Sequence, residues 1–151
     1  MTRLITLLIA ILAWGTASLT AAQPLDNLPP AKSFEADSKL AAAKKIPILV
    51  LYTSPGCQFC HRAKSEYLVP MLNDPAYKNK VIMREVDITS QSPLILFNGN
   101  KSTGAEFAAQ HKVAIVPTIK VINAQDREMS EPIVGLLIPD YYFGYIDSAI
   151  T

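Results

Sequence analysis

Ile48-Leu49-Val50-Leu51-Tyr52 runs for five residues without one charged or amide side chain. A strand with one wet face alternates apolar and polar residues, whereas an unbroken apolar run must be covered on both faces. That run confines the chain to folds in which a sheet is packed between helices. Thr53-Ser54-Pro55-Gly56 then reads as a turn, and a helical pattern starts near Gln58. Phe59, Ala63, Tyr67, Leu68, Met71 and Leu72 share one broad face of that helix, with Arg62, Lys64, Ser65 and Glu66 largely on the other. The two cysteines of the chain, Cys57 and Cys60, fall at the junction of strand and helix.

The flanking elements fit the same architecture. Ser33 is placed to cap a helix over Phe34 to Lys45, with Lys44 and Lys45 at the end where cations suit the helix dipole. Pro70 is expected to kink or end the second helix, and Asn73-Asp74-Pro75 to turn the chain. Val81 to Ile88 alternates as a strand does, with Ile82, Arg84, Val86 and Ile88 opposing Met83, Glu85 and Asp87. Pro93 to Phe97 is apolar and Asn98-Gly99-Asn100 a turn. This stretch reads as a cover for the core, with an inserted flap as the alternative. Ser102 or Thr103 caps a helix across Ala105 to His111, and His111 is expected at its end facing solvent. Thr118 to Asn123 and Glu131 to Leu137, which contains Gly135, are strands joined by a polar turn. Pro139-Asp140 opens a last helix with Tyr142, Phe143, Ile146 and Ile150 inward. The result is an α/β fold: a mixed central sheet of about four strands with helices on both faces. Its first three strands are expected parallel and its last pair antiparallel.

Residues 1–22 read as an export signal. Arg3 supplies the positive start, Leu4 to Trp14 the apolar run, and small residues to Ala22 a cleavage site before Gln23. The alternative is an uncleaved membrane anchor. Residues 23–32, with Pro24, Pro29 and Pro30, look like a linker or extended arm, and 33–151 form one domain. The expected location is the periplasm, or otherwise outside the cytosol. Half the residues are apolar and the net charge is +1, which excludes a disordered chain and argues against a nucleic-acid partner.

Export bears on the cysteines. In an oxidising compartment an even cysteine count often marks a disulfide scaffold, but a loop closed by Cys57 and Cys60 constrains very little of the unfolded chain. The pair is therefore read as chemical. Cys57, at the N-terminal end of a helix, meets the positive end of the dipole and unpaired N–H groups, both of which favour thiolate. It is the expected nucleophile, and Cys60 the resolving thiol. Lowering a thiol pKa from about 8.5 to about 6 takes roughly 3.4 kcal/mol, and a helix terminus supplies about 0.3–1 kcal/mol. Neighbouring groups must add the rest. Gln58, Phe59 and His61 are the tuning candidates, with Arg62 beside them.

With its Cys57-Gln58-Phe59-Cys60 motif after a buried strand, Val116-Pro117-Thr118 far downstream and Gly135 near the last strand's end, the chain resembles the thioredoxin-like superfamily from Phe34 to Thr151. The resemblance implies a thiol–disulfide oxidoreductase without a cofactor, working as a monomer on protein thiols and disulfides with an upstream electron donor or acceptor. It further implies that Pro117 has a cis peptide bond and faces the dithiol, and that the backbone of Val116 pairs with substrate. Two departures stand out. The Trp-Cys-Gly-Pro-Cys form of the cytosolic reductases is absent, and Leu51 occupies the place of their buried acid. The Cys-x-x-Cys-His form and the signal are more similar to exported Dsb-type and SoxW-type proteins. With no charged residue or proline between the cysteines, a reductase is favoured over a strong oxidant.

Two other chemistries use the same residues. Cys57-x-x-Cys60-His61 is also the attachment motif of c-type haem, which would make the chain an electron-transfer protein, although cytochrome c domains are helical and this motif follows an apolar strand. A zinc set from Cys57, Cys60, His61 and His111 is disfavoured, since adjacent Cys60 and His61 rarely ligate one tetrahedral ion. No metal is expected.

Overall fold

A computed structural model describes residues 26–151. The expected signal at 1–22 and the start of the expected linker lie outside the described residues. The two-sided strand is β1 (Ile48–Thr53), and every one of its residues is buried. It stands second in a four-stranded sheet of order β2-β1-β5-β6, where β2 is Ile82–Asp87, β5 Thr118–Ile122 and β6 Ile133–Val134. Alternate residues of β1 point into different cores. Leu49 and Leu51 pack with Met83, Ile119 and Val121 beneath α5 (Pro139–Ile150) and the helix that follows the cysteines. Ile48, Val50 and Tyr52 pack with Ile82, Val86 and Ile122 beneath α1 (Phe34–Lys44) and α4 (Gly104–Gln110).

Local chemistry places the helices. Ser33 caps α1 by accepting from the N–H of Ala36, and Lys45 ends it at φ 55°. Thr103 caps α4 in a reciprocal box with Glu106, an arrangement that contributes about 1 kcal/mol. The helix after the cysteines begins as α2 (Gln58–Arg62), loosens into a π-helical stretch over Ala63–Leu68, and continues as α3 (Val69–Asn73). Pro70 was expected to kink or end it. A π-helical turn, in which the N–H of Val69 donates to the carbonyl of Lys64, breaks the regular helix just ahead of the proline, and the last segment ends three residues beyond it, at Asn73.

The stretch at 89–102 is a small antiparallel hairpin, β3 (Pro93–Ile95) with β4 (Lys101–Thr103). Leu94 is buried in the α1–α4 core, and Phe97 stacks on Phe34 with ring centroids 5.0 Å apart. The hairpin covers the core. Of the expected linker or arm, residues 28–31 lie against the sheet. The N–H of Ala31 donates to Glu85 at 2.8 Å, the N–H of Glu85 donates to Pro29 at 2.9 Å, and Leu28 is buried.

Three expectations are corrected. First, β2 is parallel to β1, but β5 is antiparallel to it. Helix α4 starts at Gly104, whose Cβ position lies 2.5 Å from the carbonyl oxygen of Asp87, and leads to His111 against the Tyr52 ring. The connection thus crosses the sheet near the ends of β2 and β1 without returning along them, so β5 must run back. Second, β6 covers two residues rather than seven. Pro132 has no N–H for a ladder, and Gly135, at φ 74°, turns the chain out of the sheet. Third, on α5 Tyr142, Ile146 and Ile150 are buried, whereas Phe143 is exposed and meets Tyr77 edge-on at the surface. Among the described residues no helix is long and apolar enough to cross a membrane.

Candidate active site

The turn from β1 to α2 places the cysteines. Gly56 has φ 74°, a conformation cheap only for glycine, and the N–H of Cys57 closes the turn on the carbonyl of Ser54 at 3.3 Å. Cys57 is the N-cap of α2, and its sulfur accepts the N–H of Cys60 at 3.1 Å. Cys57 and Cys60 form a disulfide with Cα atoms 5.2 Å apart. The two sulfurs differ in access: Cys57 is half-buried, and Cys60 is 2% exposed.

Gln58, Phe59 and His61 are exposed around the pair. Phe59 presents an apolar face, 58% exposed, beside the disulfide. Arg62 turns to Glu66, with contacts of 2.8 and 3.0 Å. That hydrogen bond raises the guanidinium pKa and lowers that of the Glu66 carboxyl, so the cation is engaged away from the sulfurs.

Val116 and Pro117 come to the same end of the sheet by a different route. Thr118 pairs with Tyr52 in the antiparallel ladder, so Pro117 stands beside the end of β1 from which the cysteine turn departs. The Val116–Pro117 peptide bond is cis. Pro117 is buried, its carbonyl accepts the N–H of Gly135 at 2.7 Å, and Thr118 Oγ1 donates to the carbonyl of Ile115 at 2.7 Å. The loop is thus tied at both sides.

An open cleft of about 470 Å³ runs behind the disulfide, lined by Thr53, Cys57, Cys60, Lys64, Glu85 and Asp87 together with Gln58 and His61 at its mouth. Glu85 Oε1 accepts from Thr53 Oγ1 and from Lys64 Nζ, both at 2.9 Å, and Oε2 accepts from Lys64 at 3.2 Å. Sequence reasoning passed over this pair. Lys64 was read as a residue of the outer helical face and Glu85 as one more alternating position. The signal lay in parity, since Glu85 shares with Met83 one of the two covered faces of β2, and a charged side chain there needs a partner.

His111 is likewise not solvent-facing as expected. Its ring packs 4.2 Å from that of Phe107, and Nε2 lies 3.3 Å from Asp126. It belongs to the α4 side of the sheet, apart from the cysteines. No group of three or more metal-ligating side chains converges among the described residues.

One accessible sulfur bonded to one protected sulfur, at a strand–helix junction, is an arrangement for two-electron exchange between dithiol and disulfide. The thioredoxin-like domain pattern matches residues 34–150. Among solved structures the chain is similar to oxidised thioredoxin O2 of Arabidopsis thaliana, with 19% identity, 82% of this chain and 94% of that one covered, and a TM-score of 0.55. It is similar to the thioredoxin of Fasciola hepatica at 16% identity, 82% and 96% coverage and a TM-score of 0.54. It is also similar to the oxidised C-terminal domain of Neisseria meningitidis DsbD, at 16% identity, 76% and 90% coverage and a TM-score of 0.51. No curated protein matches.

Proposed function

The chain belongs to the thioredoxin-like domain family, and we infer that it works outside the cytosol as a reductase of protein disulfides, through Cys57 and Cys60. Thiol–disulfide exchange itself follows from the family fold and the Cys57–Cys60 disulfide. The observation that carries the division of labour is the unequal access of the two sulfurs.

In the reduced protein the Cys57 thiolate attacks one sulfur of a substrate disulfide. A bond forms between Cys57 and that sulfur, and the other substrate sulfur leaves as thiolate. Cys60 then attacks Cys57, forming the disulfide seen here and releasing the second substrate thiolate. The substrate gains two electrons and the Cys57–Cys60 pair loses them, so an upstream donor must restore the dithiol. The N-capping position of Cys57 and the Cys60 N–H on its sulfur favour the attacking thiolate. The backbone of Val116, next to Pro117 at the same end of the sheet, is suited to pair with the substrate chain, and exposed Phe59 offers it an apolar contact. Export is supported by the pattern of residues 1–22 and the reducing direction by the uncharged Gln58-Phe59 spacer. The haem reading of Cys57-x-x-Cys60-His61 finds less support, since the motif lies within a thioredoxin-like domain matched over residues 34–150.

Insulin reduction with a thiol donor, together with a redox titration, tests this function. Wild-type protein is expected to reduce insulin, and its potential to lie nearer about −270 mV than about −120 mV. Exported protein is expected to begin at Gln23 and to lack tryptophan fluorescence, since Trp14 is the only tryptophan. An inactive wild type, or a strongly oxidising potential, would reject the reductase.

A further inference from the structure

Lysines gather at one end of the domain. Lys44 and Lys45 close α1, Lys78 and Lys80 precede β2, and all four are exposed. The segments that carry them are adjacent. The N–H of Ile82 donates to the carbonyl of Pro47 at 3.0 Å, and Lys44 Nζ lies 3.4 Å from Asn79 Oδ1. Lys80 Nζ stands 5.2 Å from the centre of the Tyr77 ring. Elsewhere Lys39, Arg62, Lys64, Arg84 and Lys120 each pair with a carboxylate, which none of these four lysines does among the described residues. Two acids near this end are engaged: Asp74 Oδ1 accepts from the N–H of Ala76, and Asp147 Oδ1 from the hydroxyl of Tyr77. Asp26 is exposed at the start of the arm.

The same end receives the chain from residues 1–25. The parallel bridge of Pro30 with Glu85 carries the arm back alongside β2, and Leu28 is buried in one cluster with Tyr77 and Val81. The start of the arm thus comes level with the residues just after Lys80. The residues ahead of it, with the apolar stretch Leu4 to Trp14, join the domain there. A stretch of that kind, entering or leaving a bilayer, brings this end and no other to the headgroups. The cysteine turn departs from the far end of β1, whose six residues put about 17 Å between the two ends.

We propose that the end carrying Lys44, Lys45, Lys78 and Lys80 is a docking surface for anionic phospholipid headgroups, and that it seats the domain on a membrane with the Cys57–Cys60 pair facing away. Four like charges set close together without carboxylates repel one another, and a surface of phosphodiesters relieves that repulsion. Four is enough for a basic cluster to recognise an anionic leaflet. Each ammonium is a point charge on a flexible stem, which suits a mobile array of headgroups better than one fixed phosphate. The surface is independent of thiol exchange, since none of the four lysines lines the cleft at the disulfide.

The test is cosedimentation of the exported protein with vesicles of phosphatidylcholine, alone or mixed equally with phosphatidylglycerol. Protein beginning at Gln23 is expected to bind the mixed vesicles about tenfold or more tightly than phosphatidylcholine, and to be released by salt. Replacing all four lysines with glutamine is expected to weaken that binding by about a hundredfold or more, at about fivefold per lysine, with insulin reduction unchanged. The control is Lys32→Gln with Lys101→Gln. Both residues are exposed at the other end of α1, where Ile95 bridges Ser33 and pairs with Lys101, and binding is expected to be unchanged. Equal binding to both vesicles, wild-type binding by the four-lysine variant, or an equal loss in the control would overturn the proposal. So would glycerol phosphate in solution binding as tightly as the vesicles, which would make this a site for free phosphate. If the variant does not fold, or the exported protein keeps residues 1–22, amine-reactive labelling of wild type in the same vesicles decides. Phosphatidylglycerol is expected to protect Lys44, Lys45, Lys78 and Lys80 but not Lys32 or Lys101, and uniform labelling would overturn the proposal.

Discussion

The amide of Gly135 donates to the carbonyl of Pro117 at 2.7 Å. This bond fastens the end of β6 to the loop that stands beside the cysteine turn. Gly135 holds φ at 74°, and a Cβ there would meet Leu137 no closer than 3.6 Å. The cost of a side chain is thus conformational rather than steric. Gly135→Ala is expected to lose about 1 kcal/mol, read as a lower urea midpoint, and to slow insulin reduction. An unchanged midpoint would mean that the left-handed conformation is not required.

The unequal access of the cysteines predicts an asymmetric pair of variants. Cys60→Ser keeps the half-buried sulfur of Cys57 and is expected to accumulate mixed disulfides, visible as adducts in non-reducing mass spectra. Cys57→Ser is expected to form none and to be inactive. Equal trapping by both variants would contradict the assignment of the nucleophile.

Arg84 and Asp37 join β2 to α1. The guanidinium donates to both carboxylate oxygens, with Nε 2.9 Å from Oδ2, and the Asp37 side chain is 8% exposed. Removing the cation leaves a buried carboxylate without compensation. Arg84→Met is expected to destabilise by about 3 kcal/mol or more, measured by urea unfolding. Adding Asp37→Asn should recover part of that loss, because the remaining group is neutral.

Alkaline stability depends on Tyr77. Its hydroxyl donates to Asp147 Oδ1 at 2.7 Å. That bond, then burial and the charges of Asp147 and Asp74, push its pKa from 10.0 up to about 12. The folded state therefore holds this proton more tightly than the unfolded state. Its stabilising effect is complete below about pH 10 and is lost as the pH rises through about 12. Tyr77→Phe is expected to flatten the fall in thermal midpoint across that window. Burial also raises the pKa of Tyr52 and Tyr142, so the diagnostic quantity is the difference between variant and wild type. Parallel curves would show that the Asp147 bond does not matter.

Legibility in the sequence followed the range of the determining interaction. The β1 run, the Ser33 cap and the Thr103 cap could each be read because each depends on a few neighbouring residues. Pro70 signalled a disturbance of the helix without specifying its form, which is a π-helical stretch ahead of it. Phe143 misled because an apolar residue near the edge of a helical face has no private signal of burial. The direction of β5 was missed because it depends on where α4 delivers the chain, and that path was set by the close approach of Gly104 to Asp87.

The sequence alone determined a sheet covered on both faces and a Cys57–Cys60 pair at the start of a helix, because periodicity, turn residues and spacing are local properties of the chain. Only the tertiary structure decided that Lys64, Thr53 and Glu85 meet in the cleft that the pair also lines. Those meetings depend on strand register and helix placement. A one-residue slip of β2 would turn Glu85 to the opposite face.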